Sequence, residues 1–475
     1  MIFEYDQVSR SAPEKTRPTL RSLRRIDAEN LNLALVLNLI RTGEANTRQE
    51  IERHSGLGRA IVTDRLRTLT NLQLIDESEL GVSTGGRAPR NVQFRDNAGV
   101  ILLAVIGPST IGVSLADLSG QLHIEHHESV NMSLGPATVL KRLFTLFDWV
   151  LEQHLKGRNV WGIGIAISAP VEASSGQPFI SPILHFMPGW DEFPLIEHLA
   201  VRYGAPVWLQ NSVQMMALGE QRAVGGAALQ NLIYVDLGKE ISAGLISDGR
   251  LHTGTQGAAG MIGHIAVGED STDICRCGNV GCLETIVGAD AIVRNAVQAA
   301  QDGRSRLLAE VLATADEITS ADVGSAAQLG DSYSAEVMAN CGKSIGTALA
   351  SLTNAFNPTL IVLGGVITET SDILLAAIRE TVYRKSHPLV TSDLRIIRSK
   401  MGSTAALVGA AMVVVDELLS TAPLSFWVAY GSPLRHPEVE RLLIKARQKI
   451  ADQGPRPRPP EVTSPKHDTA AEVEF

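Results

Sequence analysis

The chain has 475 residues, 44% of them apolar, which is too long for one ordinary core and rich enough for two or three packed domains. A formal net charge of -9 argues against a protein that coats nucleic acid, and only four cysteines argue against a disulfide-stapled secreted scaffold. No run reaches the roughly 18–20 apolar residues that span a bilayer, and no apolar signal segment opens the chain, so a cytoplasmic protein without a membrane partner is expected.

Residues 1–20, with Pro13 and Pro18, read as a flexible basic arm. From Arg10 to Arg25, Arg10, Lys15, Arg17, Arg21, Arg24 and Arg25 face a single acid, Glu14. Residues 1–96 carry 15 Lys+Arg against 13 Asp+Glu, whereas the remainder carries 27 against 38. Only the N-terminal part approaches a polyanion without net repulsion.

Residues 21–96 read as a winged helix-turn-helix. Leu33, Val36, Leu37 and Ile40 have the i, i+3, i+4, i+7 spacing of one buried helical face. A second helix opens on the capping box Thr47-Arg48-Gln49-Glu50 and ends at Gly56. A third begins near Arg59. Val62, Leu66 and Leu69 face inward, and Arg59, Thr63 and Arg67 line the opposite face. Two short helices joined by a glycine turn place the second in a major groove. The segment from Leu72 to Arg95 then reads as strand, loop, strand, with Val92 and Phe94 inward and Gly85, Gly86 and Arg87 at the loop tip. Such a tip lets an arginine enter a narrow groove. The expected DNA-facing set is Thr47, Arg48, Arg59, Thr63, Arg67, Gly85, Gly86 and Arg87, and the partner is a double-stranded operator.

From Gly99 the texture changes to alternating strands and helices, the signature of an α/β domain. "VILLAVIG", "TIGVSLADLSGQLHIEHH", "VWGIGIAIS", "NLIYVDLG", "ISAGLISDGRL" and "TLIVLGG" read as strands. "ATVLKRLFTLFDWVLEQHL" and "CGKSIGTALASLTNAF" read as helices. Between them Cys275, Cys277 and Cys282 form a C-x-C-x4-C cluster, with His264 eleven positions upstream. Three thiolates and an imidazole suit tetrahedral Zn²⁺ with no open position, hence a structural ion. Cys341, on an apolar helix, reads as core. The body, residues 97–420, is expected to end near Ser420. Residues 421–475 form a C-terminal extension, partly disordered, with a helix over Pro437–Ala451.

These motifs carry a resemblance. "GLGRAIVTDRLRTLTNLQLI" with "STGGRAPRNVQF", and "GHIAV" with "CRCGNVGCLE", resemble the ROK family (repressors, open reading frames and kinases), in its regulator branch, over roughly residues 25–418. The resemblance implies an α/β chain in which the winged head precedes a two-lobed, actin-like (ribonuclease H-like) sugar-kinase fold, with a ligand cleft between lobes. It also implies that Asn211, His264 and Glu284 contact a sugar. The family's proton-accepting aspartate is here Ser212, and a serine is no base near neutral pH. The sugar-gripping glutamate is Met261. Val105 and Pro108 replace the first phosphate loop, and Gly238-Lys239-Glu240 replaces Gly-Thr-Gly. Gly364-Gly365 matches the adenine-side turn.

The expectation is a non-enzymatic transcriptional regulator, a repressor rather than an activator. Its body would assemble a homodimer or homotetramer and sense a sugar or sugar-phosphate effector. Two rivals stand beside it. One is a sugar kinase with an accessory N-terminal domain. The other is a ligand-independent regulator whose body only dimerises.

Overall fold

The computed structural model describes residues 20–80, 90–154, 157–171, 189–190, 193–225, 229–268, 273–432, 434 and 437–452. The expected basic arm, the wing tip Gly85, Gly86 and Arg87, and the Pro-rich tail lie outside the described residues.

Helix α1 (Leu20–Arg41) buries Leu33, Val36, Leu37 and Ile40, the four positions its periodicity selects. Helix α2 (Arg48–Ser55) starts on the full capping box: Glu50 N–H donates to Thr47 Oγ1 at 3.3 Å and Thr47 N–H to Glu50 Oε2 at 3.0 Å. It stops at Gly56, whose φ of 68° suits a left-handed cap. Helix α3 (Arg59–Asn71) buries Val62, Leu66 and Leu69 completely. Strands β1 (Ile75–Leu80) and β2 (Arg90–Phe94) form the antiparallel wing, with Ile75 opposite Phe94. Val92 N–H donates to Asn46 O at 2.8 Å, which ties the wing to the start of α2.

Two five-stranded sheets follow. The first holds β3 (Val100–Ile106), β4 (Thr110–Ala116), β5 (Leu122–Ser129), β6 (Val160–Ile167) and β7 (Val207–Asn211), in the order β5-β4-β3-β6-β7. The second holds β8 (Leu232–Leu237), β9 (Ile241–Ser247), β10 (Arg250–His252), β11 (Leu360–Gly364) and β12 (Arg395–Arg398), in the order β10-β9-β8-β11-β12. In each sheet the three sequence-adjacent strands are antiparallel and the remaining pairings are parallel. This repeated plan gives two lobes.

Strand β3 shows why lobe one has two covered faces. Val100, Leu102, Ala104 and Ile106 point into one core with the helix Pro136–His154. Ile101, Leu103 and Val105 point into another with the helix Thr404–Leu418. Period-two alternation with both faces apolar is the pattern of a strand between two helical layers. The second core does not stop at the body. It continues without a break through Leu33, Leu37, Ile40 and Leu66 of the head.

The expected edge of the body near Ser420 is therefore corrected. A further helix, Thr421–Tyr430, buries Leu424 and Trp427 in that same core, and Trp427 meets Trp161 edge-on with centroids 5.1 Å apart. Leu424 and Trp427 share that core with Leu33 and Leu37 of α1, a contact across most of the chain. The helix Pro437–Asp452 returns to lobe one, where Lys449 pairs with Glu197 at 2.6 Å. Among the described residues no single helix is long and apolar enough to cross a membrane.

The helix Thr404–Leu418 crosses the helix Ser212–Val224 at two glycines. A Cβ added to Gly409 would fall on the Met215 carbonyl, and one added to Gly219 on the Ala405 carbonyl. We expect Gly409→Val to force the two backbones apart and to cost about 3 kcal/mol or more, as overpacking against backbone does. The check is a chemical denaturation midpoint; an unchanged midpoint would show that the crossing is loose.

Candidate functional site

Three constellations stand out. The first is the outer face of α3. Arg59 and Arg67 are exposed and Thr63 is half-buried on the face opposite Val62, Leu66 and Leu69. Arg67 makes only a loose 3.7 Å pair with Asp64. Two other residues expected on this face have local duties. The Thr47 hydroxyl is spent on the capping box, and Arg48 reaches across to Glu77 of β1 at 2.6 Å. Arg48 therefore braces α2 against the wing. Gly85, Gly86 and Arg87 lie outside the described residues.

The second is a cage of four side chains. The ligand atoms of His264, Cys275, Cys277 and Cys282 all lie within 4.8 Å of one another. His264 Nδ1 is 3.5 Å from Cys275 Sγ, and Cys277 Sγ is 3.6 Å from Cys282 Sγ. A tetrahedral centre with bonds of about 2.3 Å to sulfur and about 2.0 Å to nitrogen sets such separations at roughly 3.5–3.8 Å. The donor set fits a bound metal. Local sequence explains the shape: Gly278 and Gly281 take φ of 88° and 73°, and a Cβ on Gly281 would strike the Gly268 carbonyl. Cys275 N–H donates to Asn279 O at 2.7 Å, closing the knuckle. Burial, then the crowding of Cys277 and Cys275, pushes the Cys282 thiol up to about 12. Three thiols this close cannot all ionise without a cation between them.

The third is a cleft between the lobes, a cavity of about 630 Å³. Lobe one contributes Pro108, Ser168, Asn211 and Ser212, and lobe two contributes Asp236, Glu240, Met261, His264, Arg276 and Glu284. The size matches a small-molecule pocket. All three expected sugar contacts line it, but two are engaged. Asn211 caps the helix Ser212–Val224: its Oδ1 accepts from Val213 N–H at 3.0 Å and Gln214 N–H at 3.2 Å, and its Nδ2 donates to Ala169 O at 3.1 Å. Glu284 accepts from Ile241 N–H at 3.0 Å and pairs with Arg276 at 3.0 Å. His264 gives Nδ1 to the cage, which leaves Nε2 for the cleft.

Arg276 was not singled out by the sequence. It sits between the two cage residues Cys275 and Cys277, and its guanidinium bridges Glu240 at 2.7 Å and Glu284 at 3.0 Å. Lys239 faces Asp290 at 3.7 Å and is well exposed. A carboxylate and its arginine thus fill the turn that the resemblance assigns to phosphates. Ser212 is buried, with its Oγ 3.2 Å from Ser168 Oγ, and Met261 is exposed in the cleft wall. The Gly364-Gly365 turn is present, with Gly365 at φ 87°.

Asp236, at the end of β8, has no hydrogen-bond or ion-pair partner among the described residues. Burial, then Glu240 and Glu369, pushes its carboxyl up to about 6 from the ordinary 3.8. The folded chain holds that proton more tightly than the unfolded one. Charging Asp236 therefore lowers stability as pH rises through the window between those values. We expect Asp236→Asn to raise the melting temperature at about pH 7.5, with the gain gone by about pH 4. A gain that is the same at both pH values would mean that burial of charge is not its cause. For the cage, Cys277→Ser should lower bound metal, measured by elemental analysis, and reduce the melting temperature. An unchanged metal content would remove Cys277 from the ligand set.

Comparison with known proteins adds four findings. The ROK family model matches residues 105–417. The xylose repressor of Caldicellulosiruptor bescii is 26% identical over 396 residues, covering 82% of this chain and 97% of that protein. The glucokinase of Halalkalibacterium halodurans is 29% identical over 313 residues, covering 66% of this chain and 94% of that one. Among solved structures, a ROK family transcriptional regulator, a homologue of the Escherichia coli MLC protein, superposes with a TM-score of 0.71 at 26% identity, over 87% of this chain and 100% of that one.

Proposed function

The chain belongs to the ROK family, and from that premise we propose that it is a sugar-responsive transcriptional repressor working in the cytoplasm without catalysis. The head, residues 21–96, binds an operator. The body, residues 97–420, binds the effector and assembles the oligomer, and the residues after 420 brace the head. The observation that carries this reading is the core shared by Leu33, Leu37 and Ile40 of the head with Leu418 of the body and with Leu424 and Trp427 of the residues after 420. A head fused to lobe one by packing follows that lobe.

The DNA contacts proposed are Arg59, Thr63 and Arg67 on α3 and Gly85, Gly86 and Arg87 at the wing tip, with Thr47 and Arg48 setting the angle of α2. Two such heads on a dimer would read half-sites about one helical turn, or multiples, apart. The metal proposed is structural zinc, held by His264, Cys275, Cys277 and Cys282. A ligand that closes the cleft would rotate lobe two against lobe one, which requires different affinity in the two states. Against a kinase stand Ser212 in place of a base and the Glu240–Arg276 pair in place of a phosphate turn.

Arg59→Ala and Arg67→Ala should each weaken operator binding by about tenfold while leaving the melting temperature unchanged. Electrophoretic mobility shift on captured operator DNA reads this. Full affinity in the double variant would mean that α3 is not the reading helix. ATP turnover with any hexose, lost in Asn211→Ala, would instead favour the kinase.

A further inference from the structure

The charge lining the cleft is lopsided. Its charged side chains are Asp236, Lys239, Glu240, Arg276 and Glu284, beside the cage residues His264 and Cys277. Arg276 is shared by two carboxylates, Glu240 and Glu284, and so neutralises only one of them. Lys239 points away to Asp290, with more than half of its side chain in solvent. Asp236 has no cation at all among the described residues. A cage of one divalent ion with three thiolates adds a further net negative charge.

The position of Asp236 is fixed by β8. Ile233, Val235 and Leu237 face one core, and Leu232 and Tyr234 face another. Asp236 continues the Leu232–Tyr234 face and emerges at the carboxyl end of a strand paired in parallel with β11, at the mouth of the cleft. Ligands of open α/β sheets sit at that end. Its oxygens look past Gly238, where an added Cβ would lie 3.8 Å from both Asp236 Oδ2 and the Glu240 carbonyl. Glu240 lines the same cleft and is near enough for its charge to act on Asp236.

A half-buried carboxylate that faces a cleft without a cation is unfavourably placed, and a nearby second acid adds repulsion. A neutral hydroxyl compensates such a group weakly, a phosphate repels it, and an ammonium both neutralises and hydrogen-bonds it. Within the regulator reading proposed above, on which it rests, we infer that the cleft selects a sugar-sized ligand bearing a basic amine, with the ammonium seated on Asp236 and Glu240. Asp236 is then the residue that sets effector class. Glu240 serves twice, holding Arg276 in place and presenting its field to the amine. Phosphorylated sugars are excluded by the same wall.

Matched ligand pairs test this. Calorimetry on the full-length, zinc-loaded protein near neutral pH would compare glucosamine, galactosamine and mannosamine with their N-acetyl derivatives and with glucose 6-phosphate. Acetylation removes the charge and keeps the ring. At least one free amine should bind about tenfold or more tighter than its acetamide. Asp236→Asn should abolish that preference without lowering the melting temperature. Should that variant fail to fold, Glu240→Gln reduces the same preference. Equal binding within every pair, tighter binding of the phosphate, or a preference that survives both substitutions would overturn the inference while leaving a sugar-responsive regulator standing. Binding of no sugar at all would bring down the effector reading together with it.

Discussion

One connection from the cleft to the head is a crossing of two helices at backbone contact. Gly219 and Gly409 leave no side chain between the helices Ser212–Val224 and Thr404–Leu418. The first helix begins at Asn211 and Ser212, in the floor of the cleft. The second ends at Leu418, in the core that holds α1. A crossing cushioned by long side chains would absorb a small displacement through rotamer changes. Backbone against backbone has no such slack. Such a crossing suits two helices that move together, should the floor of the cleft shift.

The second organising feature is economy in the knuckle around residues 264–284. Four of its side chains form the cage, and the residue between two of them, Arg276, reaches into the cleft. The histidine that gives one nitrogen to the cage offers its ring to the cavity. One short loop thus carries both the cage and part of the cleft lining, so order that an ion would impose on the cage would also be order in that wall. The three expected contacts all line the cleft. Asn211 and Glu284 do so as a helix cap and as half of an ion pair, so they shape the pocket more than they solicit a ligand.

What the sequence made legible was local. The capping box, the inward triplet Val62, Leu66 and Leu69, and the cage all depend on spacings under about twenty residues, with chemistry that admits few alternatives. The strands of both lobes were readable because each is a short apolar run between turn residues. Three features were not. The helix Thr421–Tyr430 is apolar because it packs on α1, almost the full chain away, and no window of sequence contains both. Arg276 looked like an ordinary charge in a metal loop, since its partners Glu240 and Glu284 lie on other elements. Asp236 carried no motif; only the closing of the cleft strips it of partners. Thr47 and Arg48, expected on the DNA side, have capping and bracing to do as well, which a spacing read from the sequence shows only for the cap.

The joint between head and body has an apolar interior, with Leu37, Leu424 and Trp427, and an ion pair at its rim, where Arg41 meets Asp416 at 2.9 Å. The two respond to electrolyte differently. Salt screens the rim pair, which is worth little in any case, and leaves the interior untouched or slightly strengthened. Raising ionic strength should not loosen the head from lobe one. In the proposed DNA-bound state, the slope of log affinity against log salt then reports ions displaced from phosphates, not a hinge coming undone. That makes a simple titration a count of the head's backbone contacts.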